Sequence, residues 1–241
     1  MEISEVISSA KALGVEHMLC VSVDLETYPE ILRLAEKYER IYASVGVHPN
    51  SSMQEEVSRE TLVELALNEQ VIAIGETGLD YFRSKGDLEW QRERFRTHIR
   101  AAKSVNKPLI IHNRNVGEDI TRILKEEGAE EVGGVMHCFV ENWETAQEAM
   151  EMNFYISFSG IVTFKNAKEV QKVAKQVPLE RMLVETDSPY LTPVPYRGKP
   201  NQPGYTRYVA EFIAKLKGIS FEQVAEQTSA NFFSLFNINK H

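Results

Sequence analysis

Seven short apolar stretches punctuate this chain at near-regular intervals, with helix-like segments between them. They read as strands over 17–23, 41–47, 71–76, 108–112, 133–139, 154–161 and 182–186. Apolar spacing predicts helices near 3–13, 28–38, 58–67, 88–105, 116–127, 144–152 and 167–176, then over 206–216 and 221–235. Strict alternation of strand and helix implies parallel βα units, because a parallel neighbour is reached only through a crossover. Near-continuous apolar strands fit a sheet buried on both faces. The expected architecture is a TIM-like (β/α) barrel with seven identifiable strands, and an eight-stranded barrel would need one more strand before Ile3. No Gly/Ser linker, low-complexity block or charge run separates two halves, so one domain over 1–241 is expected.

The residues that close the apolar stretches point to chemistry. VIAIGE ends at Glu76, PLIIH at His112, GGVMH at His137 and MLVETD at Asp187, while YASVGVH ends at His48. In a barrel, strand ends are where an active site is kept. Strict alternation groups Ile72, Ile74 and Glu76 on one face, Ile110 with His112, Val135 with His137, and Leu183 and Glu185 with Asp187. In a barrel those faces point inward, so the polar tips can converge. Imidazole nitrogen beside carboxylate oxygen suits a divalent ion such as Zn, Mn or Mg, and a bridging carboxylate can hold two. Any one of these residues could be a turn residue; together they favour metal-dependent hydrolysis.

Other residues are read more plainly. Gly75 and Gly78 let GETGLD turn closely around a ligand, and Asp80 is expected to cap the next segment. His48 is a candidate for binding phosphate or water, with a turn histidine held by a neighbouring backbone group as the equal alternative. Arg114 and Arg197 are phosphate-contact candidates, since forked guanidinium groups match phosphate oxygens. Lys165 and Lys199 are expected to be solvated, Trp90 and Trp143 to pack, and Cys138 to face away from His137. Glu185 fits either a ligand-orienting role or a buried pair.

The net charge of −8 excludes a basic surface that coats DNA, although bound metal and a few arginines can make one site locally positive. Two cysteines are too few for a disulfide framework. With no membrane-spanning run and no signal-peptide pattern at the start, a cytoplasmic protein is expected. No GxSxG elbow, P-loop or dinucleotide fingerprint occurs.

The segments GVHP (46–49), GETGLD (75–80), IIHNR (110–114), GGVMHCF (133–139), FYISFSGIVTFKNA (154–167), LVETDSPYLTPVPYRGKPNQP (183–203) and NFFSLF (231–236) carry a family resemblance. Over nearly its whole length the chain resembles the TatD-type metal-dependent deoxyribonucleases of the amidohydrolase-like TIM-barrel group. The resemblance implies hydrolysis of DNA phosphodiester bonds, of the 3′-5′ exonuclease type. It implies that Glu76 bridges two metal ions, that His112 and His137 bind the second, and that Asp187 serves the first and helps activate water. The family opens with a strand carrying an HxH pair; here the earliest histidine is His17, with no partner two residues away. One well-bound divalent ion is therefore expected rather than two, together with open sheet edges prone to pairing. Two other readings stand beside this one: a metal hydrolase of other ester or amide bonds, and a truncated, inactive form that binds nucleic acid or a partner.

Overall fold

Strand formation follows the apolar stretches closely at their starts and less closely at their ends. In the computed structural model, which describes residues 2–52 and 56–238, the elements in chain order begin α1 (Ile3–Ala12), β1 (Met18–Cys20), α2 (Tyr28–Lys37) and β2 (Ile41–Val45). Then come α3 (Arg59–Ala66), β3 (Val71–Asp80), α4 (Glu89–Val105), β4 (Leu109–Arg114), α5 (Asp119–Glu126) and β5 (Gly134–Met136). The chain continues with α6 (Trp143–Glu151), β6 (Phe154–Phe158), α7 (Lys168–Gln176), β7 (Met182–Val184), α8 (Thr206–Lys217) and α9 (Phe221–Leu235). Local chemistry sets several boundaries. Ser58 Oγ accepts the Thr61 N–H to cap α3, Ser220 and Gln223 form a capping box on α9, and Asn106 ends α4 in the left-handed region.

The described residues group into two compact units. One comprises His17–His137 with Gln147–Phe154; the other comprises the remaining described residues. In the first, β1 to β5 pair in chain order and all in parallel. Its core is the apolar sandwich that two-faced strands require: Leu109, Ile110 and Ile111 of β4 and Ile120, Ile123 and Leu124 of α5 are all buried. In the second, β6 and β7 pair in parallel, and Asn231 on α9 donates to the carbonyls of Leu179 and Met182 beside β7.

Strand β3 departs from the expected pattern. GETGLD does not turn away after Glu76; it continues the strand to Asp80, paired with β4. Three steps on β3, from Ile74 to Thr77, oppose two on β4, from Leu109 to Ile111, which is a bulge of one residue. The glycines make this possible. At Gly75 (φ 149°) an added Cβ would lie 2.6 Å from the Ile110 carbonyl oxygen, and at Gly78 (φ 132°) 2.0 Å from that of His112. The bulge also corrects the simple alternation. Ile74 is level with Leu109, on the face opposite Ile110 and His112, and the extra residue turns Glu76 back toward His112.

Candidate metal centre

Glu76 is the centre of a polar cluster in the His17–His137 unit. Its backbone is fixed first: the Glu76 N–H donates to the Ser22 carbonyl at 2.8 Å, and Ser44 Oγ donates to the Gly75 carbonyl at 2.5 Å. The side chain, 7% exposed, then meets three imidazoles at one oxygen. His137 Nε2 lies 2.8 Å from Glu76 Oε1, His112 Nδ1 2.9 Å, and His48 Nε2 3.4 Å. His112 projects from β4, and His137 comes directly after β5, with its N–H extending the ladder to the Ile111 carbonyl.

The histidines differ in what holds their other nitrogen. His112 Nε2 lies 3.3 Å from Asp80 Oδ2, so a proton there leaves Nδ1 as the nitrogen free to act as a ligand. His48 is arranged the opposite way. Its Nδ1 accepts the Asn50 N–H at 3.0 Å, which places the neutral ring's proton on Nε2 and makes that atom a donor. His48 is thus the turn histidine that the sequence offered as one alternative, and its ring also lies beside Glu76 and His112. Its position near Glu76 and His112 satisfies the distances for a metal ligand, but its tautomer suits donation to an anion.

Electrostatics agree with a cation-binding role. Burial alone would raise the Glu76 pKa, but the charge on His137 and hydrogen bonds from His112 and His137 outweigh it and hold the carboxyl well below its usual range. Burial likewise opposes charge on His112, yet Asp80 and Glu76 raise its pKa. Burial lowers the His48 pKa to about 4, so this ring is neutral at pH 7. An ionised, buried carboxylate contacted by imidazoles needs positive charge beside it. Protons on the rings supply that charge, and a divalent ion would do so in their place.

Helix α4 holds the site from beneath. Gln91 Oε1 accepts the Asp80 N–H at 2.8 Å, and its Nε2 donates to the Pro49 carbonyl at 3.2 Å. Arg94 Nη1 donates to the carbonyls of His48 (3.1 Å) and Ser51 (2.9 Å), while its other nitrogens grip Glu56. His98 Nε2 accepts the Val47 N–H at 3.0 Å. These buried residues stand at i, i+3 and i+7, between Phe95, Ile99 and Ala102 on a buried face; that spacing was the signal available in the sequence. Asp80 does more than the expected cap. It does cap the next segment, accepting the N–H groups of Phe82 and Arg83, but its second oxygen reaches His112 and accepts from Asn50 at 2.7 Å.

The remaining expected residues lie elsewhere or are arranged differently. Arg114, on β4, lays its guanidinium over the Phe82 ring, 4.2 Å from the centroid. In the second unit Arg197 covers the Phe164 ring at 3.7 Å and lines an open pocket with Leu191, Thr192 and Lys199. Asp187 is exposed at φ 59°, its carbonyl accepting the Tyr190 N–H. Strand β7 ends at Val184, so the alternation grouping Leu183, Glu185 and Asp187 stops before reaching Asp187. Cys138, also at positive φ, lies 3.2 Å from Ser159 Oγ, so its direction too is set by a turn and not by alternation.

The family described as TatD related DNase matches residues 1–237. The chain belongs to the TatD family. This TatD-family protein is 50% identical to the uncharacterized metal-dependent hydrolase YabD of Bacillus subtilis, over 99% of this chain and 94% of that one. It is 31% identical to the 3′-5′ ssDNA/RNA exonuclease TatD of Escherichia fergusonii, covering 98% and 93%. The crystal structure of YjjV, a TatD homologue from Escherichia coli K12, superposes with a TM-score of 0.88 at 26% identity, covering 98% and 92%. The fold is accordingly the TIM-like (β/α) barrel of this family, with seven strands among the described residues, and the chemistry is that of a metal-dependent hydrolase family. No described helix is long and apolar enough to cross a membrane.

Proposed function

We propose that this protein is a divalent-metal-dependent nuclease that removes nucleotides from the 3′ end of single-stranded DNA. The observation that carries the reading is the convergence of His112, His137 and His48 on one buried carboxylate oxygen of Glu76, each within 3.4 Å. The exonuclease named among the relatives gives that reading its substrate.

Glu76, His112 and His137 would hold the metal, Mg, Mn or Zn, and the family resemblance adds Asp187 as a further ligand. When bound, such an ion polarises phosphoryl oxygens and lowers the pKa of water. The side chains divide the rest of the work. Glu76 stays ionised, and Asp80 fixes the His112 ring by taking its Nε2 proton in a hydrogen bond. His48, neutral with a proton on Nε2, donates to a non-bridging phosphate oxygen. The family resemblance gives Asp187 the role of accepting the proton lost by the attacking water as the bond from phosphorus to the leaving oxygen breaks. Arg114 and Arg197 supply forked donors to phosphates along the strand.

The test is shortening of an end-labelled single strand in Mg²⁺ or Mn²⁺, with Glu76→Ala as control. The expected result is stepwise loss from the 3′ end that disappears in the variant and in chelator. Shortening that survives in Glu76→Ala would contradict the assignment. So would a wild-type protein that leaves DNA intact while hydrolysing a carboxylic ester or an amide.

A further inference from the structure

Most arginines in the His17–His137 unit spend their donors on carboxylates: Arg92 on Glu89, Arg94 on Glu56, Arg96 and Arg100 on Glu127, and Arg122 on Asp119. Arg114 does not. Its guanidinium donates to no described residue and lies over the Phe82 ring, 4.2 Å from the centroid. Phe82 itself is 56% exposed. An exposed phenylalanine alone signifies little, because apolar atoms are common on protein surfaces. This one is held in place. The Phe82 and Arg83 N–H groups both bind Asp80 Oδ1, at 3.0 and 2.9 Å, and the Tyr81 N–H binds the Arg114 carbonyl at 3.0 Å. The Tyr81 hydroxyl is fixed between Asp119 and Arg92.

The backbone that carries this platform is tied to the metal centre. Asp80 Oδ2 is the atom that meets His112 Nε2. Gly78 is level with His112 and Asp80 with Arg114, so His112 and Arg114 share the site face of β4. Two residues along a strand span about 6.6 Å, so a chain molecule with one group at His112 can place its next group at Arg114.

We propose that Phe82 and Arg114 form a nucleotide subsite beside the metal centre. The exposed ring takes an unstacked base, and the guanidinium edge takes the neighbouring phosphate. A flat aromatic with cation support is the platform that single strands use, because every base has a π-face once it is unstacked. Bases inside a duplex keep their faces covered by one another, so the subsite selects single-stranded ends. This inference rests on the nuclease reading above and adds how the substrate is recognised.

The experiment compares two labelled single strands of equal length, one with natural bases and one with abasic residues over its last three positions. KM and kcat for shortening in Mn²⁺, and direct binding by fluorescence anisotropy, are measured for wild type, Phe82→Ala and Phe82→Trp. The expected result is a wild-type preference for the base-bearing strand of at least about fivefold in KM and in binding. Phe82→Ala loses that preference and Phe82→Trp keeps it. Because Phe82 is exposed, its truncation leaves the core intact. A wild type that shortens both strands with equal KM overturns the subsite while the nuclease reading stands, as does a preference that survives in Phe82→Ala. A wild type that shortens neither strand but hydrolyses a small carboxylic ester overturns the nuclease reading and the subsite with it.

Discussion

Helix α4 carries two faces that use polar residues in opposite ways. On its inner face Gln91, Arg94 and His98 are buried, and each binds the backbone of a loop that bears a site residue. On its outer face Arg96 meets Glu126, and Arg100, which reaches solvent, meets Glu127. The charges are alike, but the consequences are not. A buried donor removed from its carbonyls leaves them without partners in a medium where that is costly, whereas an exposed ion pair exchanges its partner for water. The inner face therefore belongs to the metal centre although it touches no ligand. It sets where His48 and Asp80 stand.

That contrast can be broken, beginning with Arg94→Ala. This change strands the Ser51 carbonyl and leaves the His48 carbonyl with only the Ser51 N–H, while Glu56, half exposed, returns to water. A loss of about 2–4 kcal/mol in denaturant unfolding is expected. It should be accompanied by at least about a tenfold fall in kcat/KM as the His48 loop loosens. Unchanged activity in the destabilised variant would show that the loop keeps its place without α4.

His98 sharpens the comparison through pH. Its ring is neutral, with Nδ1 donating to the Arg94 carbonyl and Nε2 accepting from Val47. Burial pushes its pKa down to about 4 from the usual 6.5. The unfolded chain therefore binds more protons between those values. The contribution is complete above about pH 6.5 and is lost as pH falls toward 4, at up to about 1.4 kcal/mol per pH unit. His48 is depressed into the same window and adds to the effect. Unfolding free energies at pH 7.5 and 5 for wild type and His98→Gln isolate the His98 share, and a slope that the variant leaves unchanged would refute the assignment.

The smallest effect is expected on the outer face. Arg100→Ala, which removes a pair with Glu127 beside solvent, should cost less than about 1 kcal/mol and leave KM and kcat within error. A larger cost would mean that the outer network is more than a solvated surface.

Much of the site was legible because it obeys a repeated local grammar. Glu76, His112 and His137 stand out where apolar strands end, and the structure brings them together with His48. What was hidden is physical in origin. The bulge before Thr77 cannot be counted from apolar periodicity, so the alternation that grouped Glu76 with Ile72 and Ile74 is overturned by the pairing. Asp80 reads as a cap because half of its role is a cap. The inner face of α4 was hidden because Gln, Arg and His in a helix normally signal solvent. Only their placement among Phe95, Ile99 and Ala102 reveals burial. At Asp187 the pattern failed from the other side, since β7 ends before the residue and a left-handed turn sets its direction.

The central claim is that the Glu76 cluster is built to hold a divalent ion. Titration calorimetry of Mn²⁺ into chelator-treated protein near pH 7 tests it most directly, using wild type and Glu76→Ala in two buffers of different ionisation heat. The account predicts saturable binding by wild type with release of protons, because His112 holds its proton more tightly than an ordinary imidazole and a bound metal displaces it. It predicts no such binding by Glu76→Ala. Equal binding by the two proteins, or a wild type that takes up no ion, would contradict it.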